Sequence, residues 1–122
     1  MMHREELLNA IIDAVRRQDS RALAARAAES HPSDMAEALA TQKIQAVVPL
    51  LAALDADTLS RIFVYFSTEM QNALLRALPR PAVIALFAVM AADERADLFN
   101  ALDKTARERL LSSLDPSERE DI

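Results

Sequence analysis

The chain has 122 residues, a formal net charge of −5, and neither glycine nor cysteine. Without glycine, the loops that bind phosphates or dinucleotides are excluded and a β protein with tight hairpins is disfavoured. Without cysteine there is no disulfide, thiolate zinc site or thiol nucleophile. A composition of 52% hydrophobic and 27% charged residues is typical of one soluble domain. The arginines are scattered among acids, so no nucleic-acid partner is expected.

The first thirty residues predict two leading helices. The stretch EELLNAIIDAVRRQ is amphipathic, with an apolar face formed by Leu7, Leu8, Ile11, Ile12 and Val15. Asp19 or Ser20 is expected to cap a second helix that extends through Ala28. The stretch SHPSDMAEAL predicts the start of a third helix, because Pro32 suits a first turn and Asp34 follows as an early acid.

An apolar residue then recurs at every twelfth position. These residues are Leu54, Phe66, Leu78, Met90, Leu102 and Leu114. The residues that follow them are Asp55, Ser67, Pro79, Ala91, Asp103 and Asp115. Most of the latter are helix-capping types. An apolar pair inside each unit also recurs every twelve residues, from Leu50–Leu51 to Leu110–Leu111. Each unit is therefore predicted to form one helix of about nine or ten residues.

Helices this short are marginal alone, so the units are expected to stack into a solenoid or superhelix. The alternative is a single long helix, which the recurring caps disfavour. Four prolines also disfavour it, namely Pro49, Pro79, Pro81 and Pro116. Three units have a polar residue at the first position of the apolar stripe, and their helices are expected to lie further out. These residues are Gln71, Arg95 and Arg107.

The longest apolar run, PAVIALFAVMAA, spans residues 81–92. It is too short to cross a membrane and predicts a central helix that is buried on all sides. We treat residues 1–122 as one domain, with leading helices in 1–30 and twelve-residue repeats in 31–122. The chain stops at DPSEREDI, where another helix begins. We therefore expect it to be a fragment of a longer protein.

The sequence offers little for catalysis. The histidines are His3, near the terminus, and His31, which precedes a proline and is interpreted as a turn residue. Neither has an evident nucleophile or orienting partner. We therefore expect that the protein is not an enzyme.

The stretch AADERADLF carries the most informative charges. In a helix, Asp93 and Asp97 lie on one face, with Glu94 beside the first. Acids in a first turn interact favourably with the helix dipole by about 0.3–1 kcal/mol, and their mutual repulsion costs about 0.2–0.5 kcal/mol. An ordinary acidic helix start therefore explains them without a cation. If they do bind magnesium, they form half a site, because other groups must complete the octahedral shell.

The order and spacing of several motifs resemble one family. Three features together resemble the N-terminal cytosolic domain of MgtE-type magnesium channels and transporters. They are the stretch HPSDMAEAL, the recurring tripeptides ALD, ALP and ALD at the unit boundaries, and the stretch MAADERADLFNALDKTARERLLSSLDPSERE. The resemblance implies a right-handed superhelix of short α-helices, ahead of CBS domains and a multi-pass membrane channel. It implies Mg²⁺ shared with the CBS domains, a homodimer, and a place on the cytoplasmic side of the inner membrane. No membrane insertion by this segment is implied.

The resemblance also assigns residues. The family's acidic helix start corresponds to Asp93, Glu94 and Asp97, which are the implied metal ligands. A further family acid corresponds to Arg61, so the charge there is reversed, and Arg61 is expected to pair with a partner's carboxylate. The alternative function is a helical interaction module without a metal role, similar to the middle domain of the flagellar rotor switch protein.

Overall fold

The computed structural model describes residues 3–114, and every regular element in this range is an α-helix. The helices are α1 (Arg4–Arg17), α2 (Ser20–Glu29), α3 (Pro32–Leu39), α4 (Ile44–Ala53), α5 (Ala56–Phe63), α6 (Thr68–Ala77), α7 (Arg80–Val89), α8 (Ala92–Ala101) and α9 (Lys104–Ser113). The predicted all-α array of short helices is confirmed. Within the described range, no helix is long and apolar enough to cross a membrane. The right-handed sense of the superhelix stays a prediction.

A fixed spacing determines where the helices begin. From α2 to α9 the first residues are 20, 32, 44, 56, 68, 80, 92 and 104, which are twelve residues apart. The sequence predicted repeats from residue 31, whereas this spacing already includes α2. Leu23 of α2 is fully buried at the same position in the unit as Met35, Val47 and Leu59. The helix predicted to begin at DPSEREDI lies outside the described residues.

Side-chain acceptors begin most of these helices. The first N–H groups of a helix lack intrahelical partners, and a capping side chain accepts a hydrogen bond from one of them. The residues that do so are Asp19, His31, Asp55, Ser67 and Asp103. Pro79 and Ala91 occupy the equivalent position without a side-chain acceptor. The predicted cap at Asp115 lies outside the described residues.

The helices end without glycine because most of them pass directly into an extended residue. Within residues 3–114, Gln18 is the one residue with left-handed backbone, at φ 52°. Side chains from the following unit bond the last carbonyls of two helices. Gln71 Nε2 donates to the Phe63 carbonyl at 3.0 Å, and Arg107 Nε donates to the Phe99 carbonyl at 3.0 Å. Polar residues in the stripe thus cap the preceding helix.

Helices two places apart pack against each other, which gives two layers. One layer consists of α1, α3, α5, α7 and α9, and the other of α2, α4 and α6. Their apolar stripes form one core cluster between the layers. At the end of the array α6 packs against α9, whereas α8 makes no extensive contact with any other described helix. Leu98 is the one buried residue within α8.

The prediction that α7 is buried on all sides is wrong. Val83, Leu86 and Phe87 face the core, but Ile84 and Val89 are 37% and 43% exposed. A helix in a two-layer stack is covered by its neighbours and by the facing layer, so its outer side meets solvent even where the residues are apolar.

Two residues depart from the expected helix pattern. Pro49 lies inside α4 and does not end it, although it counted against a long helix in the sequence. It is exposed, so water can solvate the carbonyl that lacks its usual donor. Ile12, assigned to the apolar face of α1, is 37% exposed because the core contacts run along Leu7, Ile11 and Val15.

Candidate functional site

The three acids predicted as metal ligands lie at the start of α8. Asp93 and Glu94 are in its first turn, and Asp97 follows one turn later. All three are exposed. Within residues 3–114, no hydrogen bond or salt bridge involves the carboxylates of Asp93 or Asp97. These two aspartates are therefore available at the surface and are not paired with any arginine among residues 3–114.

Glu94 has a local role that the sequence did not reveal. Its Oε1 accepts a hydrogen bond from the Ala91 N–H at 3.0 Å. Ala91 precedes α8 and offers no acceptor of its own, so Glu94 provides the reciprocal half of a capping box. This bond holds the Glu94 carboxylate at the start of its own helix.

The described residues do not contain a complete metal site. Among residues 3–114, no three His, Asp or Glu side chains come close enough together to hold a metal ion. Carboxylate oxygens are the right donors for Mg²⁺, but two monodentate carboxylates cannot fill its six positions. Asp93 and Asp97 therefore fit magnesium in ligand type and not in ligand number.

An open groove separates the start of α8 from the end of α5. One part, of about 300 Å³, is lined by Phe63, Val64, Gln71, Met90, Glu94, Asp97, Leu98 and Ala101. The adjoining part, of about 350 Å³, is lined by His31, Pro32, Ser60, Arg61, Val64, Tyr65 and Glu94. The two parts share Val64 and Glu94, and we call them together the α5–α8 groove. It brings Asp97, Glu94 and Arg61 onto one surface, while Asp93 lies outside its lining.

Arg61 stands at the basic end of this groove and is exposed. Within residues 3–114, its guanidinium forms no hydrogen bond or salt bridge. The nearby carboxylate of Asp55 is engaged at its own helix start, where Thr58 N–H and Thr58 Oγ donate at 2.8 and 2.9 Å. These bonds, first of all the backbone one, lower the pKa of Asp55, and the charge of Arg61 adds to the effect.

Three groove residues were not predicted as functional. Val64 and Tyr65 are large side chains that are 45% and 52% exposed. His31, interpreted as a turn residue, caps α3 by accepting from the Ser33 N–H at 3.1 Å. Its ring meets that of Tyr65 edge-on at 5.6 Å. The twelve-residue spacing places His31 at a cap position and could have revealed this role, but no sequence signal joined it to Tyr65.

The fold as a whole is similar to the crystal structure of the soluble part of a magnesium transporter. The TM-score is 0.79 at 21% sequence identity. The match covers 98% of this chain and 48% of that chain, so the present chain spans about half the length of that soluble part. By fold, the chain is therefore a stacked-helix domain of the class found in that soluble part.

The family follows from the sequence match. The model of the MgtE intracellular N domain matches residues 30–122, which is most of the chain. The chain belongs to this family, and the resemblance inferred from its motifs is confirmed. No curated protein matches the chain.

Proposed function

We propose that this chain is the regulatory, magnesium-sensing domain of a magnesium channel or transporter. The observation that carries the proposal is the exposure of Asp93 and Asp97, which have no partner within residues 3–114, on the least packed helix of an MgtE intracellular N domain. In this role, the acids at the start of α8 face acids on a second domain. The proposed role involves no catalysis.

The physical basis is repulsion between like charges on two surfaces. Asp93 and Asp97 would repel acids on a partner domain, and each surface alone provides too few oxygen ligands for the ion. Bound Mg²⁺ would supply the positive charge that lets the two surfaces dock. Glu94 would hold the helix start in place through its bond to the Ala91 N–H. Because the ligands are divided between domains, binding to this chain alone is expected to be weak.

Membership of the family supports the proposed setting. The partner surfaces are CBS domains of the same full-length chain, in a homodimer, on the cytoplasmic side of the inner membrane. Docking of α8 at high magnesium would keep the assembly compact and the pore closed, and loosening of this contact at low magnesium would allow the pore to open. The ion that passes through the pore is determined by residues outside this chain.

The test is hydrogen–deuterium exchange of the full-length protein with Mg²⁺ and with EDTA. Residues 92–101 should exchange more slowly with Mg²⁺, and the double substitution Asp93→Ala with Asp97→Ala should remove the difference. Asp34→Ala with Glu69→Ala is the matched control, because it removes the same charge from exposed first-turn acids of α3 and α6. Exchange that is the same with and without Mg²⁺ would count against the proposal.

The alternative is an interaction module that needs no metal. The exposed Val64 and Tyr65 favour it, because large apolar side chains on a surface often mark protein contacts. Slow exchange around these residues in EDTA, together with no effect of Mg²⁺ at α8, would support this alternative.

A further inference from the structure

We propose that Arg61 and Tyr65 form a docking point for a carboxylate-bearing protein segment, and that this contact forms without a metal ion. The proposal deepens the proposed function and rests on it in one respect, namely that this face docks onto another domain. It adds the chemistry of the partner: an Asp or Glu placed opposite Arg61, with apolar side chains beside it.

The first support is the charge of Arg61. Its guanidinium is exposed, and within residues 3–114 no carboxylate pairs with it. Asp55 is held by Thr58, and Glu94 is held by the Ala91 N–H. Asp57, one turn before Arg61 in α5, forms no salt bridge with it within residues 3–114. A guanidinium binds a carboxylate through two parallel hydrogen bonds, which makes an external acid its best complement.

The second support is the space around Arg61. It lines the basic end of the α5–α8 groove and also a further open depression, of about 250 Å³, formed with Ser30, Pro32 and Thr58. A carboxylate can therefore approach the guanidinium from either side. The other exposed arginines without a partner in residues 3–114, Arg21 and Arg80, line none of these depressions.

The third support is the surface beside the charge. Val64 and Tyr65 are large and about half exposed, at the point where α5 ends. The Tyr65 ring rests edge-on against His31, and His31 is fixed by its bond to the Ser33 N–H. Tyrosine and arginine are enriched at energetic hot spots of protein interfaces, and Tyr65 and Arg61 line the same part of the groove.

The charge, the open space and the apolar surface together indicate which kind of partner fits beside Arg61. A small anion would need the charge but not the apolar surface, whereas an apolar helix would leave Arg61 unpaired. An acidic side chain carried on an apolar protein segment satisfies both. At the other end of the groove, Asp97 is the contact that needs a cation, so the groove combines one metal-dependent and one metal-independent contact.

The experiment measures hydrogen–deuterium exchange of residues 59–66 in the full-length protein in EDTA. We expect slower exchange than in the isolated 122-residue chain, and we expect Arg61→Gln to weaken docking by about tenfold. Arg80→Gln is the matched control because Arg80 is an exposed arginine of α7. Arg61→Lys should keep part of the protection, since the charge remains and the second hydrogen bond is lost.

A charge reversal gives a sharper test. Arg61→Glu should remove the protection in EDTA, and added Mg²⁺ should restore it, because two facing carboxylates can share the ion. The proposal is overturned if Arg61→Gln and Arg61→Glu both behave like Arg80→Gln in EDTA, or if wild type shows no protection there. Protection of the isolated chain by inorganic phosphate, or by raising its own concentration, would also overturn it. The proposed function is judged separately, on whether Mg²⁺ changes exchange in α8.

Discussion

Asn72 connects two helices that are distant in the sequence. It is 7% exposed within α6, and its Oδ1 accepts a hydrogen bond from the Asp103 N–H at 2.8 Å. Its amide nitrogen donates to the Thr68 carbonyl at 2.9 Å. Arg109 reinforces the same contact, because its guanidinium donates to the carbonyls of Arg76 and Leu78 at the end of α6. Individual polar side chains thus fix how α9 lies on α6.

Replacing Asn72 should therefore destabilise the domain. In Asn72→Ala, the Asp103 N–H loses its acceptor in a site with little access to water, and the free energy of unfolding should fall by about 1–3 kcal/mol. Urea denaturation followed by circular dichroism measures the change. Asn9→Ala in α1 is the control, because Asn9 is exposed. Equal effects of the two substitutions would refute the role of the Asn72 bonds.

Asp103 makes the stability of this contact depend on pH. The Ala106 N–H and the Arg76 guanidinium both donate to its carboxylate, and these bonds lower its pKa. A lowered pKa in the folded state contributes stability that is present above the ordinary value and is lost as the pH falls through the lowered one. Wild type should therefore be more stable than Asp103→Asn near neutral pH, and the two should converge in acid.

Urea unfolding at a series of pH values, from about 7 to about 2, measures this convergence. Asparagine keeps an acceptor for the Ala106 N–H but lacks the charge, so it imitates the protonated acid. Repeating the comparison in an Arg76→Gln background should reduce the difference between Asp and Asn near neutral pH. A difference that stays constant across the whole series would rule out this ionisation as its cause.

At the scale of helices, the twelve-residue spacing could be predicted because most units combine a capping residue with an apolar stripe. Asp55, Ser67 and Asp103 were identified from residue type alone, and each accepts the expected backbone bond. α2 was left outside the repeat because its apolar pair is replaced by Arg26 and Ala27. The exposed side of α7 could not be foreseen, since composition does not reveal which neighbours a helix has.

The start of α8 has only one half of a capping box. Ala91 has no side-chain acceptor, and Glu94 bonds only the Ala91 N–H. Ala91→Ser would add an acceptor for the first-turn N–H groups and complete the capping box, which should stabilise the domain by about 1 kcal/mol. Thermal unfolding measures the gain, and Ala92→Ser is the control because Ala92 is already helical. No gain, or an equal gain from the control, would show that α8 does not need the cap.

The candidate site was only partly predictable from the sequence. Asp93 and Asp97 were assigned by residue type, spacing and family resemblance, and the structure places both at the surface of α8. The bond from the Ala91 N–H to Glu94 and the contact between His31 and Tyr65 depend on side-chain placement, and the latter joins the start of α3 to the segment after α5. Such neighbours are set by how the layers pack.

At the scale of the whole molecule, stability and the proposed docking use different surfaces. The apolar stripes face the core and the capping side chains bond their own helix starts, whereas Asp93, Asp97 and Arg61 remain on the outside without partners among residues 3–114. A domain arranged in this way should fold without the ion that it is proposed to sense. The ion should act on the position of the domain and leave its internal packing unchanged.

Magnesium should therefore have little effect on the stability of this 122-residue chain alone. If two carboxylates bind Mg²⁺ with a Kd of about 10 mM, an equal free concentration stabilises the fold by only about 0.4 kcal/mol. The melting temperature should then rise by less than about 3 °C. Sodium chloride at equal ionic strength is the control for screening of the net negative charge. A larger rise with Mg²⁺ that Asp93→Ala with Asp97→Ala abolishes would mean that this chain completes the site by itself.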